Sequence, residues 1–489
     1  MDGVNKKNKI GRDAATLTFA KVITMAISLV SAMLLSRFRT LQEYGTYSQI
    51  LIVVNLISAL FMMGLPNSIN FFLSRYETRE ERKHFLSVYY TLNIIFSLVM
   101  GIVIFLSLPL IINYFSNQML KSFIYVLVLL PWTKVTIDSI SNVLVVYGKT
   151  LKLTIFNIVN ALMVLVAILA VKLFGWSFRE YMLLFLLGEV FMSVWVYISV
   201  FNLEKSLNVI FDKKLTKYIL KYSVPIGVAG LVGTVNLEID KLMIGKFFDT
   251  EVLAIYTNAG KELPFTIIAA SLTAVLLPQI ARKMKNNEKE EVVNLWGDSV
   301  EISYIFVAFF VAGLVVFAPQ VMTFLYSEKY LAGVSIFRVY SLVLLLRVTY
   351  FGMVLSATGK TKLILYSSVG TLLVNVILNY LFYLTLGVIG PAIATFISIF
   401  SAIIFQLIAT AKSLKVRFLD ILPWLKLIKH SLINIAWSLP LYFLINYFKV
   451  GTTNKEIFIC IIIAFVIMIL YLCIQYKTLR KKWNELNNR

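Results

Sequence analysis

Besides Lys172, Lys221 and Glu301 close to segment ends, eleven charged residues stand inside stretches that are otherwise apolar. The bases are Lys21, Lys134, Lys241, Lys261, Arg338 and Arg347; the acids are Asp138, Glu189, Glu238, Asp240 and Glu262. Their densest run is NLEIDKLMIGKFF, residues 236–248. A charge at bilayer depth costs several kcal/mol unless it is paired or faces water. Buried bases of this kind suit a phosphate-bearing ligand, with lysine acting as a point charge and arginine as a bidentate fork. The acids suit gating or coupling to a cation.

Spacing sorts these groups. Lys134 and Asp138 are i,i+4 and Glu238 and Lys241 are i,i+3, so each pair can close locally on one helix face; direct contact of Lys134 with substrate is the alternative for the first. Asp240 points about 160° away from Glu238 on a helix and needs another partner, with Lys261 or Lys21 as candidates. Glu262 adjoins Lys261 but faces another direction. Arg338 and Arg347 lie nine residues apart, half a turn out of phase, so in a straight helix only one faces a given cavity; Arg347 is the choice. Glu189 reads as a packing acid, with a proton relay as its functional alternative. By helical rise Lys21 lies about 10 Å from one side of the membrane, and Lys261 about 14 Å and Arg347 about 24 Å from the other. Stacked depths of this kind form a basic track that a diphosphate would need to leave water.

The elements that position these groups are membrane helices. The chain of 489 residues is 59% hydrophobic and 15% charged, with mean hydropathy +0.84, which excludes an ordinary soluble domain. Fourteen apolar segments can be marked: 14–35, 44–63, 85–108, 122–146, 153–174, 181–201, 218–245, 252–281, 300–325, 331–357, 363–386, 388–411, 430–447 and 457–476. Most reach the roughly 20 residues a span needs. Of the 46 Lys/Arg, 31 fall on one set of alternate segments and termini and nine on the other. That asymmetry places both termini in the cytoplasm, and the net charge of +21 then reports topology and anionic lipid rather than nucleic acid. Cys460 and Cys473 lie about 19 Å apart on one helix and cannot pair. His84 and His430 suit no metal site, and nothing points to a cofactor.

Three stretches recur at an offset near 211 residues. RFRTLQEYGTYSQ (37–49) matches KFFDTEVLAIYTN (246–258), GLPNSINFFLSR (64–75) matches LLPQIARK (276–283), and VLVVYGKT (143–150) matches VLSATGKT (354–361). The expected architecture is an all-α membrane protein of 14 transmembrane helices. It has two six-helix bundles (1–201 and 218–411) in a parallel pseudo-two-fold repeat, joined by a cytoplasmic linker (202–217), and two further helices in 412–489. A repeat of this kind is a transporter signature. The Gly-Lys-Thr pairs are not P-loops, because Val143 and Val354 stand where that motif needs glycine; tight turns are the reading.

Fourteen spans as six plus six plus two, with the text IDKLMIGKFFDTEVLAIYTNAGKELPFTIIAASLTAVLLPQIAR, resemble the polysaccharide flippases of the multidrug/oligosaccharidyl-lipid/polysaccharide exporter superfamily, nearest the Wzx-type branch. The resemblance covers essentially the whole chain. It implies movement of undecaprenyl-diphosphate-linked oligosaccharide repeat units from the inner to the outer leaflet of a bacterial cell membrane, for capsule, exopolysaccharide or a related surface polymer. The related lipid II flippase carries arginines in a central cavity on its first and eighth helices. By the surrounding Leu-Pro pattern the second of these falls on Lys261, and Lys21 occupies the comparable part of the first helix. Lys134 and Arg347 complete the expected diphosphate-binding set, and Asp138, Glu238, Asp240 and Lys241 the expected gating or ion-coupling set. The 236–248 charges would pair across the two bundles when the outer mouth is closed. Asn157, Asn160, Asn375, Asn379 and Gln406 are candidates for sugar contacts. Candidate partners are the lipid-linked substrate, membrane lipids, and a polysaccharide polymerase with its chain-length machinery.

Two other functions compete. A cation-coupled multidrug antiporter of the same superfamily would favour a net acidic cavity, against six bases and five acids here. A membrane glycosyltransferase or polymerase would need a large external loop or a catalytic domain, and here no Asp-x-Asp pattern lies in a loop; the chain reads as no enzyme. Pro131, Pro225, Pro264 and Pro278 permit kinks. Gly227, Gly230 and Gly233 give the seventh span a thin side, and Trp176 and Trp424 read as interface anchors.

Overall fold

The computed structural model describes residues 2–487, and side chains from Thr16 onward apart from 17, 483, 486 and 487. The basic tail residues Lys6, Lys7, Lys9 and Arg12 lie outside the described side chains. Among the described residues the chain is all helix, without strands. Thirteen segments are long and apolar enough to cross a membrane, and one of them, Thr361–Leu414, holds two helices, Thr361–Leu386 and Gly390–Leu414. The protein is a multi-pass membrane protein. The helix starts are written in the sequence. Thr40/Glu43, Thr78/Glu81 and Ser177/Glu180 form capping boxes, and the Asp212 carboxylate accepts from the Lys214 and Leu215 amides.

A helix apolar all round is divided by packing rather than by polarity. In Arg79–Phe115, Asn93, Ser97, Met100, Ile104 and Leu108 are buried, while Leu98, Ile102, Phe105, Leu106 and Leu110 are exposed large hydrophobics on the opposite face. That outer face is what a lipid-immersed helix presents.

Packing separates the chain into two compact units, Met1–Ala254 and Ile255–Arg489. The Lys213–Phe247 helix packs on the Leu41–Met62, Leu65–Leu73 and Arg79–Phe115 helices of the first unit. One reason is a backbone-to-backbone seat. Met63 and Gly64 turn the chain with left-handed φ of 34° and 73°, and a Cβ at Gly227 would overlap the Met63 backbone. Gly227 is used this way, whereas Gly230 and Gly233 face open space. A second reason is the segment before the helix. The Asn208 amide donates to Ser87 Oγ at 3.1 Å, the Ile210 amide to Thr91 Oγ1 at 3.0 Å, and His84 meets Asp212 at 3.0 Å. Near the other end of this helix, Gln49 bonds Thr250 at 3.1 Å and accepts from Asn117 at 2.6 Å, a closed buried polar network.

In the second unit the two last long helices, Trp424–Tyr447 and Asn454–Asn487, are fastened to Lys289–Val316 by charge. Glu301 is buried between Lys426 (3.2 Å) and His430 (3.6 Å), and Lys482 reaches Asp298 at 2.7 Å.

The two Gly-Lys-Thr sequences make the same turn. Gly148 and Gly359 take φ of 63° and 71°. Each following lysine amide bonds back five residues, Lys149 to Leu144 and Lys360 to Leu355, both at 2.8 Å. Those amides close helix ends and are not available to cradle phosphate. A further matched pair is the six-residue 3-10 turn, Gln118–Phe123 in the first unit and Glu328–Gly333 in the second. The Leu-Pro match is looser: Pro66 opens the Leu65–Leu73 helix, whereas Pro278 lies inside Ile267–Lys285.

Candidate functional site

The expected eighth and tenth spans are not continuous helices. The eighth stops at Ala259 and resumes at Ile267. Pro264 explains the stop: it has no amide to donate, and it holds Leu263 extended at φ −85°, ψ 150°. Lys261 and Glu262, expected on a helix, lie in this extended stretch. The tenth ends its α-helix at Val343, passes through a 3-10 turn at Leu344–Arg347, and resumes at Met353–Ala357. The half-turn phase argument for Arg338 and Arg347 therefore does not apply, since no straight helix joins them. Arg338 donates to the Val315 carbonyl at 3.1 Å and lies over the Tyr442 ring, while Arg347 forms an ion pair with Glu262.

The two breaks thus meet within the second unit. Glu262 also accepts from Thr266 Oγ1 at 3.1 Å. Gly260 fits under Tyr340, whose hydroxyl lies 3.1 Å from that of Tyr256. On the far side of the second break, Trp296 donates to Thr349 at 3.0 Å and pins the irregular segment. Irregular backbone at membrane depth is tolerated only where protein buries it or water lines it. In transporters such breaks are where charged ligands are handled. Arg347 and Glu262 are each about one-third to two-fifths exposed, so the pair is open, and Lys261, half-buried, adjoins Glu262 along the chain. Gly260 and Pro264 were the sequence signal for the break, and a helical reading of Glu262 concealed its partner.

In the first unit the 236–248 stretch supplies one local ion pair. Glu238 is buried; it pairs with Lys241 at 2.9 Å and accepts from Asn55 Nδ2 at 3.0 Å. The Lys241 pair was readable from spacing, whereas Asn55 on the second helix was not. Asp240 is also buried. Lys134 and Asp138 lie 3.5 Å apart, both open to the surroundings, so the local pair forms and leaves the lysine reachable. Lys21 is exposed. Glu189 is half-buried, its carbonyl accepting from Ser193.

The candidate sugar contacts divide. Asn375 and Asn379 are buried and bonded to each other at 3.0 Å, with Thr395 at 3.4 Å from Asn375 Oδ1, which clamps the Thr361–Leu386 and Gly390–Leu414 helices. Gln406 is half-buried and donates to Ser367 at 2.9 Å. Asn157 and Asn160 are half-buried. Sequence reasoning passed over one knot entirely. Glu204, buried at the end of its helix, is held by Arg82 (3.2 Å), Arg79 (3.4 Å) and the Tyr147 hydroxyl. Burial and the Glu204 charge push the Tyr147 hydroxyl well above its ordinary range.

Comparison with known proteins places this architecture. The fold matches a lipid II flippase, MurJ, in an inward closed conformation, with TM-score 0.77, 20% identity, and 95% of this chain and 99% of that chain covered. It also matches an inward-facing multidrug resistance MATE family transporter of the MOP superfamily, with TM-score 0.64, 16% identity, and 80% and 94% covered. A protein designated probable low-salt glycan biosynthesis flippase, from Haloferax volcanii, is 25% identical over 190 residues, which is 36% of this chain and 38% of that protein. A teichuronic acid biosynthesis protein of Bacillus subtilis is 32% identical over 149 residues, 29% of this chain and 30% of that one. The chain thus spans about a third of the length of these two relatives. The family model described as polysaccharide biosynthesis protein matches residues 34–335, and the chain belongs to that family.

Proposed function

We propose that the protein is a flippase carrying polyprenyl-diphosphate-linked oligosaccharide from the inner to the outer leaflet of a bacterial cytoplasmic membrane, for surface polysaccharide synthesis, by alternating access. Its termini lie in the cytoplasm, and undecaprenyl diphosphate is the lipid carrier. The observation that carries this reading is the meeting of two helix breaks that bear Lys261 and Arg347. A diphosphate leaving water needs fixed positive charge and open backbone, and this site offers both. Arg347 is held by Glu262 at rest, and an arriving diphosphate would compete for it. Lys21 and Lys134 serve as further diphosphate-binding groups. Glu238 with Lys241 and Asn55, Asp240, and Asp138 serve as gating or ion-coupling groups. The names of the flippase relatives support the reading, and no step in it makes or breaks a covalent bond.

The test is lipid mass spectrometry on cells lacking the protein, and on cells carrying Lys261→Ala or Arg347→Ala. The expected result is accumulation of an intact diphosphate-linked repeat unit that reagents added outside do not reach. Normal lipid-linked pools with normal surface polysaccharide, together with new sensitivity to cationic dyes, would overturn it in favour of a cation-coupled drug antiporter.

A further inference from the structure

A basic and aromatic patch lies at one end of the first unit, in none of the sites above. The loops there are gathered by Arg82, which donates to the Glu77 carbonyl at 2.9 Å and to Glu204 at 3.2 Å, and by His84 on Asp212. Beside them the Arg75 guanidinium lies 3.6 Å from the Phe71 ring centroid. Phe71 stacks on Tyr222 at 4.0 Å with the planes 28° apart. Two groups this near one centroid must occupy its opposite faces, so Arg75, Phe71 and Tyr222 form three layers. Lys217 and Lys221 lie about 40° apart around the Lys213–Phe247 helix, on one stripe, and both are exposed.

Beside the acids Glu77 and Glu81, the bases at this end are of two kinds. Arg79 and Arg82 are committed to Glu204, and Lys83 to Glu80. Among the described residues no carboxylate pairs with Arg75, Lys217 or Lys221. Adhesion to anionic lipid needs only loose positive charge. It gives no reason to fix one guanidinium flat on a ring. Stacking does two things: it removes water from one face of the guanidinium, and it holds the forked N–H edge in one orientation, which suits bidentate contact with phosphate. Asn70, exposed within two turns of Arg75, donates to Asn142 at 2.8 Å, so its amide is also fixed in orientation.

We propose that Arg75, Lys217 and Lys221, with Phe71 and Tyr222 as the platform for Arg75, form a capture site for the diphosphate of a polyprenyl-linked glycan. The site is built from residues other than Lys261 and Arg347, and it rests on the transport reading above. Three positive charges, one of them a fixed fork, match a diphosphate better than a single phosphodiester. Anionic phospholipid offers related chemistry, and the test separates the two.

The test is native mass spectrometry of the full chain titrated with undecaprenyl diphosphate and, separately, with phosphatidylglycerol. The variants are Arg75→Gln, the double variant Lys217→Gln/Lys221→Gln, and Arg347→Ala. Arg75, Lys217 and Lys221 are exposed, so these changes leave the core intact. Loss of a charge-assisted contact predicts roughly tenfold or more weaker undecaprenyl diphosphate binding for Arg75→Gln and for the lysine double variant, with phosphatidylglycerol retention unchanged. Equal loss of both lipids would overturn the proposal and leave a general anionic-lipid surface. Undiminished diphosphate binding in both variants, with a loss only in Arg347→Ala, would overturn the capture site and leave the transport reading standing. A wild-type chain that binds no undecaprenyl diphosphate would overturn both.

Discussion

Replacing Gly227 by alanine should weaken the first unit, and the structure allows the size to be worked out. A Cβ at 227 would lie closer than 3.0 Å to the Met63 Cα, carbonyl carbon and carbonyl oxygen, which are backbone and cannot rotate away. Restoring an ordinary carbon contact of about 3.5–4.0 Å requires the helix and the 63–64 turn to separate by on the order of 1 Å. Overpacking of this kind costs about 1–3 kcal/mol. Alanine also has an intrinsic helix advantage over glycine of about 1 kcal/mol, which offsets part of the loss. Gly230→Ala and Gly233→Ala supply the correction, because nothing lies within 4 Å of a Cβ at either position. The useful quantity is therefore the gap between variants. Gly227→Ala should unfold less stably than Gly230→Ala by about 1–3 kcal/mol, read from denaturant midpoints of the reconstituted protein. A Gly227→Ala chain as stable as Gly230→Ala would refute the seat between the turn and the helix.

Three further outcomes follow from the charge arrangement. Glu262→Gln and Arg347→Gln should each lower lipid-linked transport, and the double variant should show a coupling on the order of 0.5–3 kcal/mol; strictly additive effects in a transport assay would mean the pair is not functional. Glu204→Ala removes the acceptor shared by Arg82, Arg79 and Tyr147 and should destabilise by about 2 kcal/mol, whereas Tyr147→Phe should cost about 1 kcal/mol; equal midpoints for the two variants would contradict this ranking. Asp212 is held below its ordinary 3.8 by the Leu215 amide and His84, so its contribution is present above the unfolded-state value and is lost as pH falls through the lower folded one. Asp212→Asn should therefore flatten part of the acid side of the stability profile while changing nothing in its slope between about pH 7 and 8, and unchanged melting profiles below about pH 4 would contradict it.

What the sequence revealed was what depends on local chemistry. The pairs Lys134–Asp138 and Glu238–Lys241 involve neighbours three or four residues apart, and both form. The identical turns at Gly148 and Gly359 were legible as well, because each needs only a left-handed glycine and a helix behind it. Hydropathy marked the spans but not their interruptions, since Lys261-Glu262-Leu263-Pro264 sits in text greasy enough to read as continuous. Long-range partners were invisible for a different reason: Asn55 for Glu238, Glu262 for Arg347 and Glu204 for Arg82 are set by which helices pack, and spacing along one chain carries no record of that.

The bonds along the Lys213–Phe247 helix also fix where it can bend. Its entry is riveted by the Asn208 and Ile210 amides on Ser87 and Thr91, its lower body is seated at Gly227 on the 63–64 turn, and its upper body is hooked by Glu238 to Asn55. A rod fastened at three points keeps its freedom only between fasteners. The span between the second and third contains Gly230 and Gly233, with no neighbour against either. Any motion that leaves the fasteners intact falls in the stretches between them: the lower holds Pro225, and the upper holds the two glycines that no neighbour crowds.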